Sequence, residues 1–133
     1  MPTKTILDNE FATLYSHPEK KMVHHVIKKF VFGPDLRKVL DAGYNEMKAS
    51  GATKWLSDDR LNNALKPDDE AWARTDWFPR VLKAGWKSWA VVLPSKVVGQ
   101  MNMQRFSDTY KEAGITAQLF SDPDVAMKWL ESQ

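Results

Sequence analysis

A nearly all-apolar run in the second half of the chain limits the folds that this sequence can adopt. Residues 88–93 read SWAVVL, and the run is bounded by Gly85 on one side and Pro94 on the other. A strand that is apolar at almost every position must be covered on both of its faces, which is typical of the central strands of parallel sheets. The run therefore predicts a central strand that is buried from both sides.

Apolar patterns elsewhere in the chain predict the remaining elements. Aromatic and β-branched runs bounded by turn residues predict further strands. These strands are Phe11–Tyr15, Met22–Phe32, Lys54–Ser57 and Thr116–Phe120. Apolar residues at three-to-four-residue spacing predict helices. These helices run from Gly33 to Gly51, from Pro67 onward, from about Gly99 to Ala113, and from Asp122–Pro123 towards the end of the sequence.

The predicted order β-β-α-β-α-β-α-β-α indicates one α/β domain over residues 1–133. Strands that alternate with helices pair in parallel through right-handed crossovers, and the opening hairpin adds an antiparallel edge. The sheet is therefore expected to be mixed and mostly parallel. Pro79 lies inside the second helical pattern, so we expect a kink there, or two short helices that meet near Trp77 and Phe78.

The charge and the cysteine content argue against several classes of protein. Nineteen Lys and Arg against 17 Asp and Glu leave a formal charge of +2, and a nucleic-acid partner would call for a concentrated basic face. The absence of cysteine excludes disulfides and favours a reducing compartment. No stretch reaches the ~20 apolar residues of a membrane span, and the first residues do not resemble a signal peptide. We expect a cytoplasmic protein with no nucleic-acid partner and no membrane span.

Asp58, Asp59 and Arg60 directly follow the predicted strand Lys54–Ser57 and form the first candidate site. They would lie at the carboxyl edge of the sheet, where open parallel sheets usually bind ligands. The two carboxylates could hold Mg²⁺, or they could cap loop N–H groups and pair with Arg60. A strictly sequential strand order would remove the usual cofactor crevice. The three residues are therefore candidates for ligand or partner binding, with no metal or cofactor predicted.

Trp72, Trp77 and Phe78 form the second candidate site, at the expected kink. Tryptophans are common both in cores and in interfaces, because each buries ~150–250 Å². At ideal helical spacing, Trp72 and Trp77 cannot both point inward. One of them is therefore a candidate for an exposed binding contact, and packing across the kink is the alternative.

Histidines and known motifs give no support to an enzyme. His24 and His25 are adjacent in a predicted strand, so they would point to opposite faces and cannot share one metal ion. They are interpreted, with His17 at the turn, as satisfied or exposed side chains. The chain also lacks the G-x-S-x-G, G-x-x-x-x-G-K-[ST] and G-x-G-x-x-G motifs of hydrolases, phosphate loops and dinucleotide sites. We predict no catalytic residue.

Four segments carry a resemblance to a known family: WLSDDR, EAW…DWFPR, GWKSWAVVLP and FSDPDVAMKWL. They resemble small bacterial proteins of the STAS superfamily, of the STAS/SEC14-like kind, and the resemblance covers nearly the whole chain. It implies a sheet whose strands follow one another in sequence order, as turns of a right-handed β-α superhelix. It does not imply the phosphorylation switch of the sporulation anti-anti-sigma factors, because SDDRLNNALKPDDE stands here in place of their Asp-Ser-Ser-Gly-like motif.

The predicted function is that of a non-enzymatic binding or regulatory module, which contacts another protein or a second copy of itself. If the helices all cover one face of the sheet, a homodimer would form through the other face or through the opening hairpin. The superfamily's kinship with SEC14-type modules implies an alternative, a carrier of a small apolar or lipid-like ligand near Trp72, Trp77 and Phe78. An enzyme that uses Asp58 and Asp59 with Mg²⁺ is the third alternative.

Overall fold

Six strands form one mixed sheet in the computed structural model, which describes residues 3–133. The strands are β1 (Lys4–Asp8), β2 (Ala12–His17), β3 (Met22–Ile27), β4 (Lys54–Asp58), β5 (Ser88–Val92) and β6 (Thr116–Phe120). Their order across the sheet is the order in the sequence. The first three strands pair antiparallel, and β3 to β6 pair in parallel. The predicted mixed, mostly parallel α/β fold is confirmed.

The first strand, β1, was not predicted from the sequence pattern. Its five residues are exposed or only partly buried, so burial imposes no clear apolar alternation on them. The register shifts between Thr5 and Leu7, and such a bulge is common on edge strands because it disturbs pairing with a further chain. The strand predicted over Met22–Phe32 is also shorter in the structure, since β3 ends at Ile27.

Five α-helices complete the fold: α1 (Gly33–Ser50), α2 (Pro67–Trp72), α3 (Phe78–Lys83), α4 (Val97–Glu112) and α5 (Pro123–Glu131). Sequence signals set several of their ends. Gly51 has a φ of 75° and closes α1 with an N–H donated to the Met47 carbonyl, as its position predicts. The Asp122 carboxylate accepts from the Asp124 N–H at 2.8 Å and caps α5. Within residues 3–133, no helix is long and apolar enough to cross a membrane.

The expected interruption at Pro79 takes the form of a π-helical turn. Residues Ala73–Trp77 make this turn and join α2 to α3, and Pro79 lies in the first turn of α3. Proline lacks the N–H that a continuous α-helix would need, and a π-turn shifts the bonding to residues five apart. Trp72 and Trp77 are also five residues apart, and both pack against the same core. The assumption of ideal helical spacing for this pair was therefore wrong.

The two faces of the sheet carry different helices. On the first face, α1, the α2–α3 segment and α4 pack against residues that include Val23, Trp55 and Trp89. On the second face, α5 packs against Leu56 and Ala90. All five positions of β5 are buried, as the SWAVVL run predicts. The condition for a free second face, that all helices cover the first face, is not met, because α5 covers much of the second face.

Candidate functional site

An aromatic cavity lies between the first face of the sheet and the helices that cover it. Its volume is about 60 Å³. Most of its wall is apolar and is contributed by β3, β4, β5, the π-turn and α4. The aromatic rings in the wall are Trp55, Trp77, Trp89, Phe106 and Tyr110. A second group of lining residues is polar and consists of His25, Ser57, Asp59 and Asn62.

Strand alternation brings these side chains together. Successive residues of a strand point to opposite faces, so His25 of β3 lies on the first face, as do Trp55 and Ser57 of β4. Strands β3 and β4 pair in parallel with His25 opposite Ser57. Asp59 follows the last residue of β4, and its backbone N–H continues the sheet pattern by donating to the Val92 carbonyl at 3.0 Å. The polar group of the cavity therefore forms where the parallel strands end.

Hydrogen bonds fix the tautomer of His25. The Trp55 indole Nε1–H donates to His25 Nδ1 at 3.0 Å, so Nδ1 must carry a lone pair. In the neutral ring the proton then lies on Nε2, which is 2.8 Å from Asp59 Oδ1. His25 thus donates its Nε2–H to the Asp59 carboxylate. Both side chains are buried.

Ser57 makes a separate interaction. Its Oγ accepts a hydrogen bond from the Trp89 indole Nε1–H at 2.8 Å. Both ring nitrogens of His25 are already used by Trp55 and Asp59, so no hydrogen bond joins Ser57 to His25. A serine nucleophile requires a base within hydrogen-bond reach. The arrangement therefore lacks the nucleophile–base contact of a serine hydrolase.

Several polar atoms at the cavity have no partner among residues 3–133. Asp59 uses Oδ1 to accept from His25, whereas Oδ2 takes part in no hydrogen bond. Asn62 uses Oδ1 to accept from the Val31 N–H at 3.4 Å, and its amide nitrogen is unpaired. Neither Asp59 Oδ2 nor the Asn62 amide nitrogen is among the fully enclosed side-chain atoms that lack a hydrogen-bond partner in the described part of the chain, which are Arg37 Nε and Ser107 Oγ, so both atoms remain accessible. These free atoms are available to a molecule inside the cavity.

Tyr110 closes another part of the cavity wall. Its ring stacks on Phe78 with 3.8 Å between the centroids and an angle of 3° between the planes. Its hydroxyl makes no hydrogen bond within residues 3–133. Burial raises the pKa of the Tyr110 phenol, and the nearby charge of Glu70 adds to the rise. The phenol therefore stays neutral and can donate a hydrogen bond at ordinary pH.

Asp58, Asp59 and Arg60 do not form one site. Asp58 is the last residue of β4 and lies on the second face, where it is buried. Its carboxylate accepts from Arg60 Nε at 2.9 Å and from Arg60 Nη2 at 2.8 Å. These hydrogen bonds raise the pKa of the Arg60 guanidinium. Asp59 belongs to the cavity on the first face, so the two carboxylates have different partners.

No group of three or more metal-ligating His, Cys, Asp or Glu side chains occurs in the part of the chain that the structure describes. The neighbouring carboxylates of Asp58 and Asp59, the pair considered for Mg²⁺, lie on opposite faces. His24 and His25 also diverge, as strand geometry predicts. His24 lies beside His17, with 3.1 Å between His24 Nδ1 and His17 Nε2.

Trp72, Trp77 and Phe78 occupy three different environments. Trp77 lines the cavity, and its indole N–H donates to the Leu40 carbonyl at 2.9 Å. Phe78 supports the cavity wall through Tyr110. Trp72 is half-buried outside the cavity, and the Arg37 guanidinium lies 5.1 Å from its ring centroid. Trp77 is the member of the three that contacts the cavity.

The sequence reading missed most of the polar group. The sequence pattern indicates a satisfied or exposed side chain for His25, and it does not single out Ser57 or Asn62 as site residues. The alternation of β3 and β4 was the available signal, because it places His25 and Ser57 on the same face as Trp55. The parallel register that makes them neighbours could not be read from either strand alone.

Comparisons of the chain with protein-family models, with curated proteins and with solved structures found no match.

Proposed function

We propose that this protein binds a small, largely apolar ligand in the aromatic cavity between its sheet and helices. The observation that carries the proposal is the combination of aromatic walls with polar atoms that lack a protein partner. Small-molecule sites typically have this composition, because apolar walls supply affinity and a few polar atoms fix the orientation of the ligand. A volume of about 60 Å³ suits a molecule of a few heavy atoms better than a lipid chain.

Binding without catalysis is part of this proposal. The two hydrogen bonds of His25 support it, because they leave Ser57 without contact to a base. The strand order of the sheet supports the further proposal that the chain is related to the STAS superfamily, since the sequence resemblance implies that order. The cysteine-free sequence supports a cytoplasmic location for this binding module.

Filling the cavity tests the proposed function. Ala73 lines the cavity from the π-turn and is buried, so Ala73→Leu should occupy the space and abolish binding. The measurement is the indole N–H region of the ¹⁵N NMR spectrum, followed during titration with small neutral, cationic and anionic molecules. At least one molecule should give saturable shifts in the wild-type protein. Ala71→Leu is the matched control, because Ala71 lies on the preceding helix outside the cavity.

Three results would contradict this function. The first is that no molecule of the panel shifts the indole signals in the wild-type protein. The second is that binding survives in folded Ala73→Leu with unchanged affinity. Loss of binding in both Ala73→Leu and Ala71→Leu would point to a general change of the helix and would also count against the cavity.

Association with a second copy of the chain is a second candidate function. It is favoured by four large apolar side chains that are 60–67% exposed on two adjoining segments. Ser95 precedes α4, and its N–H donates to the Arg60 carbonyl at 3.4 Å, so the start of α4 lies beside the loop after β4. The exposed side chains are Leu61, Val97, Val98 and Met101. Met101 lies three and four positions after Val98 and Val97 on α4, so these three side chains are neighbours on the helix surface, and an exposed apolar cluster of this kind is typical of interaction sites.

A further inference from the structure

The charge of the cavity points to the chemical class of its ligand. Of the described residues that line it, Asp59 is the one carboxylate, and none is a lysine or an arginine. The Asp59 side chain is only 8% exposed. A carboxylate this buried needs a compensating positive charge or several hydrogen bonds, because desolvation disfavours an isolated charge.

The neighbouring histidine satisfies one of the two carboxylate oxygens. His25 Nδ1 accepts the N–H of Trp55 at 3.0 Å, so the ring presents its Nε2–H to Asp59 Oδ1 at 2.8 Å. The second carboxylate oxygen keeps its full capacity to accept from a cation.

The aromatic rings favour a cation in the same space. The face of an indole, phenol or phenyl ring attracts a positive charge within ~6 Å of its centroid, and tryptophan is the strongest of the three. The cavity wall holds three tryptophans together with Phe106 and Tyr110. Aromatic walls attract ammonium groups, and a carboxylate accepts charge-assisted hydrogen bonds from them.

We infer that the ligand of the cavity is a small protonated amine, whose ammonium group donates to Asp59 Oδ2 and whose alkyl part contacts the aromatic rings. This inference rests on the proposed function, because it names the ligand class for the same cavity. The volume of about 60 Å³ limits the enclosed part of the amine to a few heavy atoms.

Three probes of similar size and different charge test the inference. They are isopropylammonium, 2-propanol and acetate, each with about four heavy atoms, a size for which binding is weak enough to suit NMR titration. Isopropylammonium should give saturable shifts of the Trp55 and Trp89 indole N–H signals at matched ionic strength. Its dissociation constant should be at least about tenfold lower than that of 2-propanol, and acetate should not bind.

The outcomes separate this inference from the proposed function. If 2-propanol or acetate binds as tightly as the amine, the ligand class is wrong and the cavity remains a binding site. If none of the probes or the wider panel shifts the indole signals, the binding function fails and the inference fails with it. The comparison uses the wild-type protein and does not depend on any variant folding.

Two neighbouring aspartates supply a matched pair of variants. Asp59→Asn keeps the acceptor for His25 but removes the charge, so amine affinity should fall about tenfold while 2-propanol affinity stays nearly constant. Asp58→Asn changes the carboxylate that pairs with Arg60 on the second face, and it should leave amine affinity unchanged. Full amine affinity in folded Asp59→Asn, or an equal loss in Asp58→Asn, would overturn the inference.

Discussion

Trp55 combines polar and steric roles in the space of one side chain. Its indole N–H determines the tautomer of His25, and its ring meets Trp77 edge-on with 5.3 Å between the centroids. The six-membered part of the indole lies against Gly43 of α1, where a Cβ atom would come within 2.8 Å of Trp55 Cζ2 and Cζ3. Gly43 therefore allows α1 to approach the sheet closely enough to enclose the ring.

Gly43→Ala should destabilise the protein. A glycine-to-alanine change inside a helix normally stabilises by up to ~1 kcal/mol, so the expected sign is reversed here. Overlap with the Trp55 ring should lower the free energy of unfolding by about 1–3 kcal/mol, measured by urea denaturation. In a Trp55→Phe background the smaller ring leaves room, and the loss should shrink. An equal loss in both backgrounds would contradict the steric explanation.

The histidines of the second face should make stability depend on pH. Burial lowers the pKa of His24 to about 4, and the neighbouring His17 adds to the lowering. A base whose pKa is lower in the folded state than in the unfolded state contributes fully to stability above its unfolded-state pKa, which is ~6.5 for histidine. This contribution is lost as the pH falls from that value towards the folded-state pKa. The free energy of unfolding should therefore drop by about 2 kcal/mol between roughly pH 6.5 and pH 5 on account of this residue.

Urea denaturation of wild-type protein and His24→Gln at both pH values measures this contribution. Glutamine does not titrate, so the variant should lose less stability on acidification than the wild type does. The difference between the two proteins isolates His24 from carboxylates that titrate in both. Parallel pH profiles would show that His24 is not the group responsible.

At the scale of secondary structure, α5 is the element that closes the second face. Its Leu130 is completely buried against the sheet, whereas Val125 on the same helix is 52% exposed. The contribution of α5 to stability should therefore depend on a few inward positions and not on the helix as a whole.

Leu130→Ala should lower the free energy of unfolding by about 2–5 kcal/mol, because it leaves a cavity beside Leu56 and Ala90. Val125→Ala is the matched control and should change stability by less than ~0.5 kcal/mol. Chemical denaturation followed by circular dichroism gives both values. Similar losses for the two variants would show that the helix docks differently from the structure described.

The predictable elements are those whose burial leaves a local pattern. β5 could be predicted because cover from both faces requires apolar residues throughout, and α1 because Gly33–Pro34 and Gly51 mark its ends. β1 could not be predicted, since an exposed edge strand carries no such pattern. The π-turn could not be predicted either, because Pro79 indicates an interruption of the helix but does not specify its geometry.

At the scale of the whole molecule, the cavity depends on contacts between distant segments. Sequence order placed Asp58 and Asp59 at the carboxyl edge of the sheet, but the register of β3 and β4 determines which side chains lie beside Asp59. The side chain that donates a hydrogen bond to Asp59 is His25, which is 34 residues away in the sequence. The composition of the site therefore required the tertiary structure, whereas the fold class did not.

Self-association is also a property of the whole molecule, and sedimentation tests it directly. If the exposed apolar surface around Val98 and Met101 joins two copies, sedimentation at high micromolar concentration should show a dimer. Val98→Glu with Met101→Glu should yield a monomer with unchanged stability, because both side chains are at least 60% exposed. A wild-type protein that sediments as a monomer under these conditions would remove this candidate function.

The sequential strand order has a consequence for folding of the protein during its synthesis on the ribosome. Each strand after β1 pairs with the strand that precedes it in the chain. When a strand emerges from the ribosome, its pairing partner has therefore already been synthesised. Chains emerge from their amino-terminal end during synthesis. We expect the sheet to grow one strand at a time as translation proceeds. Because α5 follows all six strands in the chain, it should cover the second face of a sheet that is already assembled.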